Sequence, residues 1–521
     1  MYIRQPMQRQ FIVNLGILLV LNLIIKPFWP LIIEPAVQHQ VGNAAYGEYY
    51  VLFCFSFLLN ILLDFGITNF NNKNIAENNH LLEKHFSGLI MLKLLLGVLY
   101  LVITLGVGLM VGYSDRYLKL LFLLGINQFL ISMILYLRSN LLGLHAFKTD
   151  SIISVLDRIA MISICVLLLW SKWTGIYMDI MVFVYVQTAS YFITAVIAFI
   201  LVLQKTSKFS INWNWPFWIM ILKKSFPFSV LVLLMTFYNR LDSVLIERLL
   251  PDKNNYIFLF IEKMKHAKIY QLPQIKAIIQ QAELSLNNSG PAQAGIYAKG
   301  FRVLDSANMI AYLFAVQLLP IFSRMLKYKE KIDNLVKLAF TLVITPAILT
   351  ACVCYFYRVK LVEVIYYGVS DSATTFALLM GCFVAVSITY IFGTLLTANG
   401  NLKELNTMAL VGICLNFLLN IILIPRYMAI GAAVSGLITQ FFTAGMQLYL
   451  AKRIFQFKTN YRLLITLFAF IAGVLSMAGL TSHFMSNQIL GMVITCLFAG
   501  FWALSIGLIS IKSIIRFVRM Q

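Results

Sequence analysis

Arg240 and Asp242 stand two residues apart in "SFPFSVLVLLMTFYNRLDSVLIERLL" (225–250), a stretch otherwise apolar enough to cross a bilayer. A charge at the bilayer centre costs about 2.5–3.5 kcal/mol on insertion scales, so each must find water, another helix or a ligand. Two apart on a helix, they project about 200° from one another and do not simply pair. A second set follows in "IYAKGFRVLDSAN": Lys299, Arg302 and Asp305 fall at i, i+3 and i+6. That spacing makes a drifting stripe on one helix face, and such a stripe predicts a hydrated interior rather than lipid. A net positive interior suits a substrate that carries phosphate, because Arg offers paired hydrogen bonds to its oxygens and Lys a point charge. Lys26, beside Pro27 in the first apolar run, joins Arg240, Lys299 and Arg302 as a candidate cation. Asp242, Asp305 and Asp64, the last in "NILLDFGITNF", are carboxylates able to carry a coupling H+ or Na+. For Asp64, near the inner end of its run, helix capping or loop anchoring is an equal alternative. Asn416 and Asn420 in "LNFLLN" share a face at i, i+4, which predicts hydrogen bonding at a helix interface.

Other chemistries find no residues to carry them. There is no nucleophile-elbow motif and no Gly-rich phosphate loop ending in Lys-Ser/Thr. The six histidines are scattered, mostly in loops, and none of the seven cysteines forms a ligand-spaced set with them, so no metal site is expected. The cysteines lie nearly all in apolar segments and read as small packing residues. No cofactor is expected, and the protein is expected not to be an enzyme.

The elements that position these charges are helices in a membrane. Hydrophobic residues make up 60% of the 521 and charged residues 12%, against about 25% charged in an ordinary soluble domain. Continuous apolar runs of roughly 20 residues recur along the chain, the pattern of spanning helices and not of the alternating segments of a β-barrel. The fold class expected is therefore an all-α polytopic membrane protein with about fourteen transmembrane helices. The first seven lie near 11–33, 46–68, 87–111, 117–137, 152–171, 177–203 and 226–250. The second seven lie near 295–322, 333–357, 374–397, 404–425, 429–450, 462–482 and 487–512. The N-terminal apolar run is too long for a signal peptide and lacks a small-residue cleavage site, so it is expected to be retained as the first span. Lys and Arg concentrate in segments such as "SRMLKYKEKIDNLVK" and "AKRIFQFKTNYR", which places both termini on the cytoplasmic side. The net charge of +21 then reflects topology and attraction to anionic headgroups, not a nucleic-acid surface.

One stretch, 251–294, interrupts the series. Ile275, Ile278, Ile279 and Ala282 recur there at helical spacing among lysine and glutamine, which predicts one or two interfacial helices on the outer side. A lid and an insertion without a role are equal readings of it. Glycine-aromatic steps entering the second and eighth spans ("GNAAYGEYYVLF" and "PAQAGIYAKGFRVL") give a faint internal repeat. The expected domains are an N-terminal bundle 1–205 (spans 1–6), a second bundle 223–453 (spans 7–12) carrying the insertion, and 454–521 (spans 13–14).

Four segments resemble the polysaccharide flippases of the multidrug/oligosaccharidyl-lipid/polysaccharide (MOP) exporter superfamily, the Wzx-type translocases of O-antigen and capsule. "YGEYYVLFCFSFLLNILLDFGITN" (46–69) is similar to the family's Tyr-Gly-aromatic entry and Asp-x-Gly exit. "SFPFSVLVLLMTFYNRLDSVLIERL" resembles its Pro-bearing seventh span with Arg-x-Asp. "AGIYAKGFRVLDSANMIAYLFAVQLLPIFSR" resembles its eighth span, and "LNFLLNIILIPRYMAIGAAVSGLITQ" the join of spans eleven and twelve. Met428 stands where the family usually has glycine, and 251–294 where it has a short loop.

The resemblance implies two pseudo-symmetric six-helix bundles around a cationic cavity, plus two C-terminal helices bordering a lipid groove, with both termini inside. It implies a bacterial inner-membrane flippase that carries undecaprenyl-pyrophosphate-linked oligosaccharide to the outer leaflet. Membrane lipids, a polysaccharide polymerase and glycosyltransferases would be its partners. The alternatives are a drug/cation antiporter of the same superfamily and, from a different class, a membrane polysaccharide polymerase or ligase.

Overall fold

The structure is a computed structural model describing residues 25–68, 71, 75, 81–144, 146–170, 177–206, 213–250, 288–458 and 460–508. Every regular element among them is helical. A π-helical turn, Trp29–Ile33, leads into α1 (Glu34–Val41). Pro30 and Pro35 lack the N–H that an α-helical ladder needs, and the backbone widens there. Gly42, at φ 84°, separates α1 from α2 (Asn43–Leu58). Then come α3 (Leu81–Met110), α4 (Asp115–Gly143), α5 (Phe147–Trp170), α6 (Ile180–Leu203) and α7 (Trp215–Leu249). The second half holds α8 (Gly290–Lys327), α9 (Asp333–Phe356), the short α10 (Arg358–Ile365), α11 (Ala373–Ala398), α12 (Leu402–Phe455), α13 (Tyr461–Phe484) and α14 (Gln488–Ser505). Side-chain caps start several of them: Asp179 accepts from Val182 N, Asn214 from Phe217 N and Asn460 from Leu463 N.

Among the described residues, nine helices are long and apolar enough to cross a membrane. One of these, α12, holds two expected spans, 404–425 and 429–450. Its arms meet at Met428, whose φ of 51° is left-handed. Glycine would sit there without strain, so the chain turns its corner on a residue that suits it poorly. The second expected span, 46–68, is also not continuous. Its helix stops at Leu58, a 3-10 turn takes Asn60–Leu63, and Phe65 and Gly66 adopt φ of 43° and 80°. The insertion, apart from its last seven residues, and the first and last expected spans beyond 25 and 508 lie outside the described residues.

The chain divides into two compact units, Met1–Gly295 and Ile296–Gln521, with the dividing point inside α8. In the first, α4 packs on α6, α3 and α2, while α2 packs on α7. The sequence expectation grouped α7 with the second bundle; its packing on α2 groups it with the first unit. Glycine makes one contact of this unit possible: a Cβ on Gly47 would run into the Pro291 carbonyl, and one on Gly295 into the Asn43 carbonyl. Gln38 Nε2 ties the same place, donating to Gly295 O at 3.0 Å and to Asn43 Oδ1 at 3.1 Å.

In the second unit α11 packs on α9 and α12, and α9 meets α13 and α14. One core gathers Leu318, Phe322, Val336, Phe392 and Ala451. Another gathers Ile344, Ile348, Phe470, Val474 and Ala499. Tyr357 donates to Thr481 Oγ1 at 2.7 Å, and Thr481 meets Thr495 at 2.9 Å, a polar clasp between the last two helices and the rest of the unit.

Candidate functional site: charges within the membrane helices

Most of the intramembrane charges of the first unit are built into its packing. Lys93, 1% exposed, reaches from α3 to the broken end of the second span. Its Nζ donates to Leu63 O at 3.0 Å, to Ser132 Oγ at 2.9 Å, and to the Asp64 carboxylate. All three ammonium protons are thereby used. Asp64 also accepts from Thr68 Oγ1 and from the Thr68 amide. Of the two readings of Asp64, this geometry is that of an anchor: it caps the turn and neutralises Lys93. The carboxylate remains 28% exposed, so it keeps one side toward solvent.

Arg138 of α4 makes a two-pronged bond to Asp150 of α5, Nε to Oδ1 at 2.7 Å and Nη2 to Oδ2 at 3.0 Å, with Asp150 1% exposed. Nearby, Glu34 is buried and accepts from Trp29 Nε1 at 2.7 Å and from Tyr46 OH at 3.0 Å. The Arg158 guanidinium stands 5.8 Å from the Trp29 ring centre. Lys26 belongs to this neighbourhood, with Arg138, Arg158, Asp157 and Asp150 as the charges acting on it. The sequence pattern singles out none of Glu34, Arg138, Asp150 and Arg158. Arg138 and Asp150 fall at expected span ends, where charge is ordinary, so their type and position carry no signal.

On α7, Arg240 is half-buried with its guanidinium 5.3 Å from the Phe57 ring centre of α2, while Asp242 is 2% exposed. They occupy different sides of the helix, as their spacing predicts. At the far end of α7, Arg248 Nε lies 2.9 Å from Glu247 Oε2 in an ion pair, and its guanidinium stacks 4.1 Å from the Tyr113 ring centre in the turn between α3 and α4. Burial pushes the Tyr113 phenol up to about 12, Glu247 adding to the rise and Arg248 opposing it.

The stripe on α8 is not uniform. Arg302 and Asp305 are half-buried, but Lys299 is 3% exposed and its Nζ lies 2.7 Å from Asp371 Oδ1 in the loop before α11. The Tyr366 ring centre is 5.3 Å from the same Nζ. Lys299 is thus closed off, unlike the open stripe expected. Asp371 sits in "GVSDSAT", which reads as an ordinary helix start, and nothing in the sequence connects it to a lysine 72 residues earlier. Asn420 Nδ2 donates to Asn416 Oδ1 at 3.0 Å, both side chains fully buried in α12. Among the described residues no group of three or more His, Cys, Asp or Glu could hold a metal ion.

The sequence matches the family described as "Polysaccharide biosynthesis protein" over residues 12–326. No curated protein matches it. Among solved structures, the lipid II flippase MurJ in an inward closed conformation is similar over 98% of this chain and 100% of its own, with TM-score 0.68 and 15% identity. An inward-facing multidrug resistance MATE family transporter of the MOP superfamily is similar over 84% of this chain and 99% of its own, with TM-score 0.54 and 13% identity. At such identities the likeness establishes the fold. Matched by family over more than half its length, the chain belongs to the polysaccharide biosynthesis protein family, and its fold is similar to those of MurJ and the MATE transporter.

Proposed function

We propose that this protein is a flippase that turns a lipid-linked oligosaccharide from the cytoplasmic to the outer leaflet of the bacterial inner membrane. The observation that carries the reading is the match to polysaccharide biosynthesis proteins on a fold shared with a lipid flippase. The lipid is the one the resemblance to Wzx-type flippases implies, and a pyrophosphate joining undecaprenol to sugars needs cationic partners inside the membrane. Arg302, Arg240 and Lys26 take that part, each partly accessible and each on a membrane helix or its edge. Arg302 and Arg240 grip phosphate oxygens through paired N–H groups. Asp242 and Asp305 are the carboxylates that would bind H+ or Na+, whose downhill movement would drive exposure of the lipid head alternately to the two faces. A polymerase and glycosyltransferases act on either side of this step.

The test is depletion of the protein, followed by a leaflet-resolved assay of polyprenyl-pyrophosphate-linked oligosaccharides. Complete units should accumulate on the cytoplasmic side, and Arg302→Ala, inserted at wild-type level, should not relieve the block. Single units accumulating outside would identify a polymerisation defect and refute the reading. An unchanged pool would favour a drug/cation antiporter.

A further inference from the structure

Lys299 is the one cation of the expected stripe that the fold takes out of reach. Its ammonium is buried against Asp371 at 2.7 Å, and Tyr366 lies across it with the ring centre at 5.3 Å. Tyr366 also donates its hydroxyl to the main-chain oxygen of Lys299 at 2.8 Å. The loop between α10 and α11 therefore grips one residue of α8 twice, by backbone and by side chain. The loop is itself shaped for this. Tyr367 and Gly368 take φ of 54° and 86°, Gly368 N donates to Glu363 O at 2.8 Å, and Ala373 N to Ser370 O at 3.1 Å. Next to the grip, Gly300 lets α8 come close to the first turn of α11, since a Cβ there would stand 3.0 Å from Phe376 Cα and 2.9 Å from Leu379 Cδ1.

Two bonds from different directions and a close helix contact fix both the height and the rotation of α8 at residues 299–300. Arg302 and Asp305 follow within two turns, and their direction is set by that rotation. We propose that Lys299, Asp371 and Tyr366 are positioning residues: their clamp aims the Arg302 side of α8 at the diphosphate of the lipid substrate, and Lys299 does not bind phosphate itself. This rests on the flippase reading for the ligand, though the clamp can be tested apart from it.

Two measurements on the full-length protein decide it. The first follows hydrogen exchange of residues 296–305 in detergent without any ligand. Asp371→Asn and Tyr366→Phe should each speed exchange there, and the reciprocal Lys299→Asp/Asp371→Lys exchange should slow it again. Unchanged exchange in both single variants would overturn the clamp, whatever the protein transports. The second measures binding of undecaprenyl pyrophosphate. Lys299→Met and Asp371→Asn should each weaken it by about tenfold, within the range expected of coupled neighbours, and the charge-reversed pair should restore it. If Lys299 were itself a phosphate ligand, Asp371→Asn would tighten binding by releasing it and the reversed pair would not recover. A faster exchange with unaltered affinity would make the clamp merely structural and refute positioning. No binding by the wild-type protein, beside altered exchange in the variants, would refute the diphosphate ligand and leave the clamp itself standing.

Discussion

Replacing Lys93 with methionine removes an ammonium that has no access to water and three acceptors around it. The loss is calculable from those acceptors. Leu63 O keeps a donor, because Ser132 Oγ reaches it at 3.2 Å. Asp64 keeps the Thr68 hydroxyl and amide but loses its counter-charge. Breaking a buried ion pair by removing one partner costs about 3–5 kcal/mol. Asp64 is 28% exposed and regains some hydration, which places the expected loss near the bottom of that range, at about 3 kcal/mol. For a compact unit of this size, at roughly 2 °C per kcal/mol, the apparent Tm in detergent should fall by about 6 °C. The assay is thermal unfolding followed by fluorescence-detected size exclusion on Lys93→Met, Asp64→Asn and the double variant. The double variant should be more stable than the sum of the single losses by about 2 kcal/mol, because its second change removes the stranded charge. Strict additivity, or a Tm for Lys93→Met within about 1 °C of wild type, would refute the assignment of Lys93 as the staple of the broken second span.

Other substitutions probe other joints. Arg138→Lys keeps the charge but loses the two-pronged bond to buried Asp150; thermal unfolding should show about 1–3 kcal/mol of destabilisation. Gly47→Ala pushes a methyl into the Pro291 carbonyl, so folded yield should drop more sharply than for Gly445→Ala, where a Cβ meets open space. Tyr357→Phe removes the donor to Thr481 at 2.7 Å and should cost about 1 kcal/mol, seen as a lowered Tm with transport retained.

Which parts of this architecture can be read from the sequence follows from the range of the forces involved. Spanning helices are legible because an apolar run of about 20 residues has one stable environment, and α9, α11 and α13 lie within a few residues of their expected bounds. The break after Leu58 is less so: "FSFLLNILLDFG" is mostly apolar, with only Ser56, Asn60 and Asp64 polar, and the interruption is held by Lys93, 29 residues beyond Asp64 in the chain. Met428 shows the opposite case: it stands in the sequence where the resembled family usually has glycine, and its φ is left-handed. The two-residue spacing of Arg240 and Asp242 on α7 separates them around the helix by helical geometry alone. No local pattern, by contrast, links Lys299 to Asp371, or Arg138 to Asp150 across a helix turn. Those partners are chosen by the packing of α8 beside α11 and of α4 with α5, which periodicity within one segment does not encode.

Pairing changes what an intramembrane charge signifies. A lysine 2.7 Å from a carboxylate already has an anion; a phosphate that displaced Asp371 would replace one ion pair with another. At about 4 Å and an effective dielectric near 20, a single pair is worth about 4 kcal/mol, and the displaced carboxylate forfeits a similar amount. The net attraction offered by Lys299 is therefore small, and the same holds for Lys93 and Arg138. Arg302 and Arg240 are half-buried where Lys299 and Lys93 are closed, so exposure rather than depth in the membrane orders the candidates for a ligand. By that ordering the guanidinium groups come first, the very groups whose planar donors suit a diphosphate, and the lysines become parts of the frame that holds them.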